Sequence, residues 1–284
     1  MRLTSRSNPV LKTVRQVAEQ ARRAPPDLVL AEGLRVLEEA MRSPYTLEAC
    51  VTSEEFGSTL REKELALQWK RSQVTRYSVP ADLFRTLTAV SSPQGALALV
   101  RVPRRDLAAA APGPVPLLVC ACGLQDPGNL GTLLRSARAA GATLACTTRA
   151  TVSARNPKVI RSSAGAFFHL PPVEDLSPEA ITGYCRQHGV RLFGTAAGRG
   201  RPYWQVDLRG PCGILFGNES RGVDITPWGG SLPCIRIPMT PGCESLNVST
   251  AAAVILFEAS RQRAGVRFPA ATDKPGRCGD SATS

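Results

Sequence analysis

Apolar positions recur at two alternating periods along the first hundred residues. Asn8-Pro9 reads as a helix cap followed by proline at the first helical position, opening an amphipathic stretch over Val10 to Arg23. Strand-like runs then alternate with helical ones. Leu28 to Ala31, Leu47 to Thr52, Val74 to Val79 and Ala96 to Val102 read as strands, while Leu34 to Arg42, Ser58 to Trp69 and Ala81 to Thr88 read as helices. This pattern predicts a small α/β domain over 1–103. Arg104 to Pro116, RRDLAAAAPGPVP, turns abruptly to Ala, Pro and Gly, the chemistry of a linker.

Beyond it the apolar runs shorten and lose alternation, as buried parallel strands do. Leu117 to Cys122, Leu144 to Thr147, Val190 to Gly194, Gly213 to Phe216 and Ile235 to Met239 are the expected strands. Leu130 to Ala140, Pro178 to Gln187 and about Leu246 to Arg263 are the expected helices, the first stopped by Gly141. An α/β fold follows, with an open parallel sheet and helical crossovers over 117–267 behind the smaller α/β domain. Residues 268–284 carry Pro, Gly and Ser without periodicity and are expected to be a disordered tail.

Composition narrows the function. The chain of 284 residues has 35 Lys and Arg against 23 Asp and Glu, a formal charge of +12, which suits a polyanionic partner such as RNA. The surplus lies on both sides of the linker, so neither part is merely a charged tail. The N-terminus has no apolar core of a signal peptide, and the longest apolar run, Ala251 to Phe257, cannot span a bilayer. A cytoplasmic protein is expected. Nine cysteines, with no C-x-x-C pair and several in apolar runs (Cys120, Cys122, Cys212, Cys234), read as reduced buried thiols. His169 and His188 have no metal-ligand spacing and read as structural or surface residues.

Three segments at strand ends carry candidate chemistry, because open α/β sheets gather ligands there. The first, Gln125 to Gly131, leads into a helix presenting Arg135 and Arg138; its turn amides can hold an anion, or simply cap a helix with a surface arginine. The second, Phe216-Gly217-Asn218-Glu219-Ser220-Arg221-Gly222, offers close backbone approach and polar groups to a cofactor, and could equally be a turn. The third runs from Ile237-Pro238-Met239 to Ser245-Leu246-Asn247-Val248-Ser249, where three polar side chains exceed what one cap requires. No G-x-G-x-x-G follows a predicted strand, which speaks against a dinucleotide-binding domain.

In this order the three segments resemble the motifs of the SpoU, or TrmH-like, RNA ribose 2′-O-methyltransferases of the SPOUT superfamily, over about residues 117–265. Asn156-Pro157-Lys158 through Arg161 to Ala166 resembles the element between the first two motifs. Ser7-Asn8-Pro9, Lys12 and Glu32-Gly33 resemble the ribosomal-protein-like substrate-binding domain found ahead of it. The resemblance implies a deep trefoil knot, S-adenosyl-L-methionine as cofactor, no metal, an RNA substrate (rRNA or tRNA) and a homodimer. It implies that Thr195, Gly217, Asn218, Ile237, Met239, Leu246 and Ser249 hold the cofactor, and that Arg135, Asn129, Glu219, Ser245 and Asn247 serve catalysis. Arginine is almost always protonated, so Arg135 either acts as general base or binds phosphate and orients the hydroxyl. With 5% aromatic residues, no pocket of stacking rings for a flipped base is evident. A non-catalytic RNA-binding protein would be expected to carry a broken motif, and a nucleotide-dependent metabolic enzyme a phosphate-binding fingerprint; neither is seen.

Overall fold

The computed structural model describes residues 1–72, 74–217, 222–229 and 232–264. The expected tail at 268–284 lies outside them. The first half holds β1 (Leu28–Glu32), β2 (Thr46–Ser53), β3 (Arg76–Val79) and β4 (Ala96–Arg101) with α1 (Pro9–Ala18), α2 (Leu34–Arg42), α3 (Leu60–Arg71) and α4 (Ala81–Arg85). The strands form one sheet in the order β1-β4-β2-β3, with β4 antiparallel to both neighbours. Local chemistry sets the helix starts: the Asn8 side chain accepts from the Val10 N–H, and Thr59 with Glu62 forms a reciprocal capping box on α3. α1 ends before the expected Arg23. It buries Leu11, Val14 and Val17, and the chain turns left-handed at Gln20 (φ 52°).

The second half holds β5 (Leu117–Ala121), β6 (Leu144–Thr148), β7 (Val173–Leu176), β8 (Arg191–Thr195), β9 (Arg201–Pro202), β10 (Cys212–Phe216) and β11 (Cys234–Arg236). Its helices are α5 (Pro127–Ala139), α6 (Pro157–Ser162), α7 (Pro178–Gln187) and α8 (Val248–Arg263). The strands make one seven-stranded sheet, β7-β6-β5-β10-β8-β11-β9, in which every pairing is parallel. This is the open parallel sheet expected from the apolar runs. β11 is shorter than expected, because the chain leaves the sheet at Ile237 rather than after Met239.

Two neighbouring registers decide how the chain is threaded here. Ile235 pairs with Thr195 on one side and with Arg201 on the other. Residues 196–200 therefore arch over the end of β11. The fit is tight: Gly200 (φ +105°) lies against the Cys234 carbonyl, and a Cβ there would overlap that backbone.

The two halves share one apolar core, which joins α2 and the β1/β4 strands to Phe167, Phe168 and α5. Around it, His169 Nε2 meets Glu39 Oε2 at 2.8 Å, and Arg161 pairs with the buried Glu32 at 3.6 Å. Arg155 donates to the Val102 carbonyl (2.8 Å) and pairs with Glu174 (3.2 Å). The 104–116 segment has no helix or strand, yet it is packed rather than free. Leu107 and Ala110 are buried, Tyr184 donates its hydroxyl to the Ala110 carbonyl (2.8 Å), and Arg105 donates to Pro171 (3.2 Å).

α8 closes the second half against α5. Its last turn is held by Arg263, whose buried guanidinium donates to the carbonyls of Leu208 (2.7 Å), Gly210 (2.5 Å), Pro116 (3.2 Å) and Val115 (3.3 Å). Cys120 and Cys122 keep their sulfurs 3.7 Å apart as free thiols, and burial pushes Cys146 and Cys185 up to about 12, so neither is a ready nucleophile. The His188 ring lies 4.4 Å from that of Tyr184, tilted by 48°.

Candidate active site

The ends of β8, β10 and β11 meet the start of α8 around a cavity of about 830 Å³, inside the size range of small-molecule sites. Its apolar side is built by Ile235, Ile237, Met239, Val248, Ala251 and Ile255. Thr195, Gly217, Gly222 and Val223 supply strand-end backbone, and Ser245 and Leu246 the approach to α8. Gly217 has no room for a side chain, since a Cβ there would collide with the backbone of Gly222 and Val223. The Thr195 hydroxyl donates to the Leu215 carbonyl (2.9 Å), so this residue faces the cavity with its side-chain proton already committed.

Asn247 joins the first and third motifs. As the cap of α8, its Oδ1 accepts from the Ser249 N–H (2.9 Å) and hydroxyl (2.6 Å), while its Nδ2 donates to Asn129 Oδ1 (2.9 Å). Asn129 sits in the first turn of α5, its own N–H held by the capping Asp126 at 2.8 Å. The three polar residues of the third motif thus divide: Asn247 caps and bridges, Ser249 completes the cap, and Ser245 lines the cavity.

Of the residues expected from the sequence, Thr195, Gly217, Ile237, Met239, Leu246 and Ser245 line the cavity. Ser249 does not. It is buried in the first turn of α8, with its hydroxyl spent on Asn247. Arg135 is exposed on α5 and is not among the lining residues; six residues beyond Asn129, it lies about 9 Å further along the helix axis. Asn218 and Glu219 fall outside the described residues. Ala196 to Arg199 and Glu244 line the cavity without having been singled out in the sequence, although the run Gly194-Thr195-Ala196-Ala197-Gly198-Arg199-Gly200 after a strand was a signal for backbone approach. No group of three or more His, Cys, Asp and Glu among the described residues could hold a metal ion.

The sequence profile of the SpoU rRNA Methylase family matches residues 116–257, the span that contains this cavity and all three motifs. The chain belongs to the SpoU rRNA methylase family. A second profile, the MRM3-like substrate binding domain, matches residues 8–98. Over 255 residues the chain is 30% identical to the 23S rRNA (guanosine(2553)-2'-O)-methyltransferase RlmP of Bacillus subtilis (strain 168), covering 90% of this chain and 97% of the relative. Among solved structures it is similar to an RNA 2'-O ribose methyltransferase, with TM-score 0.78, 34% identity, and 93% of this chain and 100% of the other covered. It is also similar to the SpoU methyltransferase AviRb from Streptomyces viridochromogenes in complex with AdoMet, with TM-score 0.79, 25% identity, and coverage of 91% and 100%. SpoU membership makes the chain an S-adenosylmethionine-dependent RNA ribose 2′-O-methyltransferase.

The residues present suit that cofactor. Strand-end backbone at Thr195 and Gly217 lines the cavity, where it can meet polar ligand groups, and the apolar wall suits an adenine ring.

Proposed function

We propose that the cavity holds S-adenosylmethionine and that the first and third motifs present a ribose 2′-hydroxyl of a folded rRNA or tRNA to it. The observation that carries this reading is the Asn129–Asn247 hydrogen bond, which ties α5 to the start of α8, where Leu246 and Val248 line the cavity. When bound, the cofactor supplies an electrophilic methyl group. The chain's own part is to align the hydroxyl with that methyl and to help its proton leave.

In this reading Thr195, Gly217, Ile237, Met239 and Leu246 hold the cofactor, with Asn218 beside them in sequence, while Ser249 acts by completing the α8 cap. Asn129, Asn247, Ser245 and Glu219 position the reacting groups through hydrogen bonds. Arg135, exposed and outside the cavity, meets the RNA: its fixed charge binds the phosphate and orients the hydroxyl. Arg135→Ala is expected to abolish methyl transfer and leave cofactor affinity nearly unchanged. Calorimetric titration beside a transfer assay checks this; wild-type turnover would remove Arg135 from the mechanism.

Residues 1–103 select the RNA and 117–267 carry the chemistry, with 104–116 as a packed strap between them. The arch of 196–200 over β11 is the local geometry that a threaded chain needs, and we read it as part of the trefoil knot. Two copies pair beside it, since α8 leaves Phe257 51% exposed. No helix among the described residues is long and apolar enough to cross a membrane; with the positive charge, this supports a cytoplasmic enzyme.

A further inference from the structure

The cavity is apolar along one side, yet two charged side chains of opposite sign, Arg199 and Glu244, also line it. They come from different segments: Arg199 from the arch over β11, Glu244 from the approach to α8. Both are exposed, and neither has an ion pair or a side-chain hydrogen bond among the described residues. Among the described residues Arg199 and Glu244 do not pair with each other or with another charge, unlike Arg61 with Glu38 (2.7 Å) or Arg209 with Asp207 (2.9 Å). A cation and an anion kept unpaired at the edge of one pocket are complementary to a ligand end that carries both charges.

We propose that Arg199 and Glu244 form the subsite for the α-amino-acid end of the cofactor, Arg199 taking its carboxylate and Glu244 its ammonium group. The assignment rests on the reading of this cavity as the S-adenosylmethionine site. Its logic is one of solvation. The adenine can be buried among Ile237, Val248 and Ile255, whereas a zwitterion buried without partners would cost several kcal/mol. The charged end therefore belongs at the exposed rim, where these two side chains stand. An arginine offers a planar fork that fits a carboxylate, and an ionised glutamate accepts from an ammonium.

The test uses three ligands on the whole protein: S-adenosylmethionine, S-adenosylhomocysteine and 5′-methylthioadenosine, the last lacking the amino-acid end. Calorimetric titrations of wild type, Arg199→Ala and Glu244→Gln are compared. Each variant is expected to bind S-adenosylmethionine and S-adenosylhomocysteine roughly tenfold more weakly, a loss of about 1.4 kcal/mol. Binding of 5′-methylthioadenosine should stay within about twofold of wild type, a contrast that a collapsed cavity would not give. Equal weakening for all three ligands would overturn the proposal. So would a Glu244→Gln effect confined to S-adenosylmethionine, which would assign that carboxylate to the sulfonium instead. Unchanged S-adenosylhomocysteine binding with weakened RNA binding in Arg199→Ala would place Arg199 on the RNA and overturn it as well. If wild type bound none of the three, the cavity would not be the cofactor site, and both readings would fall.

Discussion

Asn247 performs two separable tasks, and two substitutions pull them apart. Its Oδ1 caps α8, and its Nδ2 bonds Asn129 at 2.9 Å. In Asn247→Ala both are lost. A missing cap costs about 1 kcal/mol, and the net worth of the hydrogen bond is about another 1 kcal/mol, so the variant should unfold with roughly 2 kcal/mol less stability. Asn247→Asp keeps an acceptor for Ser249 and places a negative charge at the helix N-terminus, which favours it by about 0.3–1 kcal/mol. It removes the donor, however, and sets an oxygen against Asn129 Oδ1. Aspartate should therefore fold within about 1 kcal/mol of wild type yet lose the bond that holds the Asn129 side chain to the start of α8. Methyl transfer should fall at least about tenfold, the equivalent of 1.4 kcal/mol at the transition state. Urea unfolding and single-turnover transfer from labelled cofactor read the two effects independently. Wild-type transfer by Asn247→Asp would refute the bridging role; wild-type stability of Asn247→Ala would refute the capping one.

Two further outcomes follow from buried polar groups. Arg263→Met keeps much of the side-chain volume but removes the guanidinium donor from four carbonyls, of which Pro116 still accepts from the Cys212 N–H (3.0 Å), and should lower stability by about 2–4 kcal/mol; a urea midpoint within error of wild type would contradict this. Burial lifts the Glu32 carboxyl above its ordinary 4.5, against the lowering pull of the Thr88 hydroxyl and Arg161. A carboxyl raised on folding contributes stability that is full below its unfolded value and fades as pH rises through the folded one. Glu32→Gln should therefore gain on wild type as the pH climbs from about 4.5 toward neutrality, and a pH-independent difference in unfolding free energy would exclude the effect.

Much of this architecture was legible because it rests on local signals. α2 and α7 fall on the expected bounds, Leu34–Arg42 and Pro178–Gln187, since each has a clear apolar face and α7 begins at a Ser177 cap with proline behind it. α6, β7 and β9 were not foreseen. α6 is six residues long and β9 two, too short for a period to register, and β7 (Val-Glu-Asp-Leu) is an edge strand with a left-handed Asp175. Composition marked 104–116 as a linker but could not reveal that Leu107 and Ala110 are buried. The sequence named the cavity's motif residues, while Arg199 and Glu244 escaped it because only the arch over β11 brings them to one pocket. Ser249 was expected at the cofactor and instead serves the cap, because a hydroxyl two residues after Asn247 falls within reach of its Oδ1.

The most direct measurement of the chemistry is the position of the transferred methyl group. A ribose 2′-O-methyl removes the hydroxyl that attacks the adjacent phosphate, so the linkage survives alkali. RNA incubated with the protein and methyl-labelled S-adenosylmethionine, then hydrolysed in base, should yield its label in alkali-resistant dinucleotides. Label confined to mononucleotides, with the methyl on the base, would contradict ribose 2′-O-methylation.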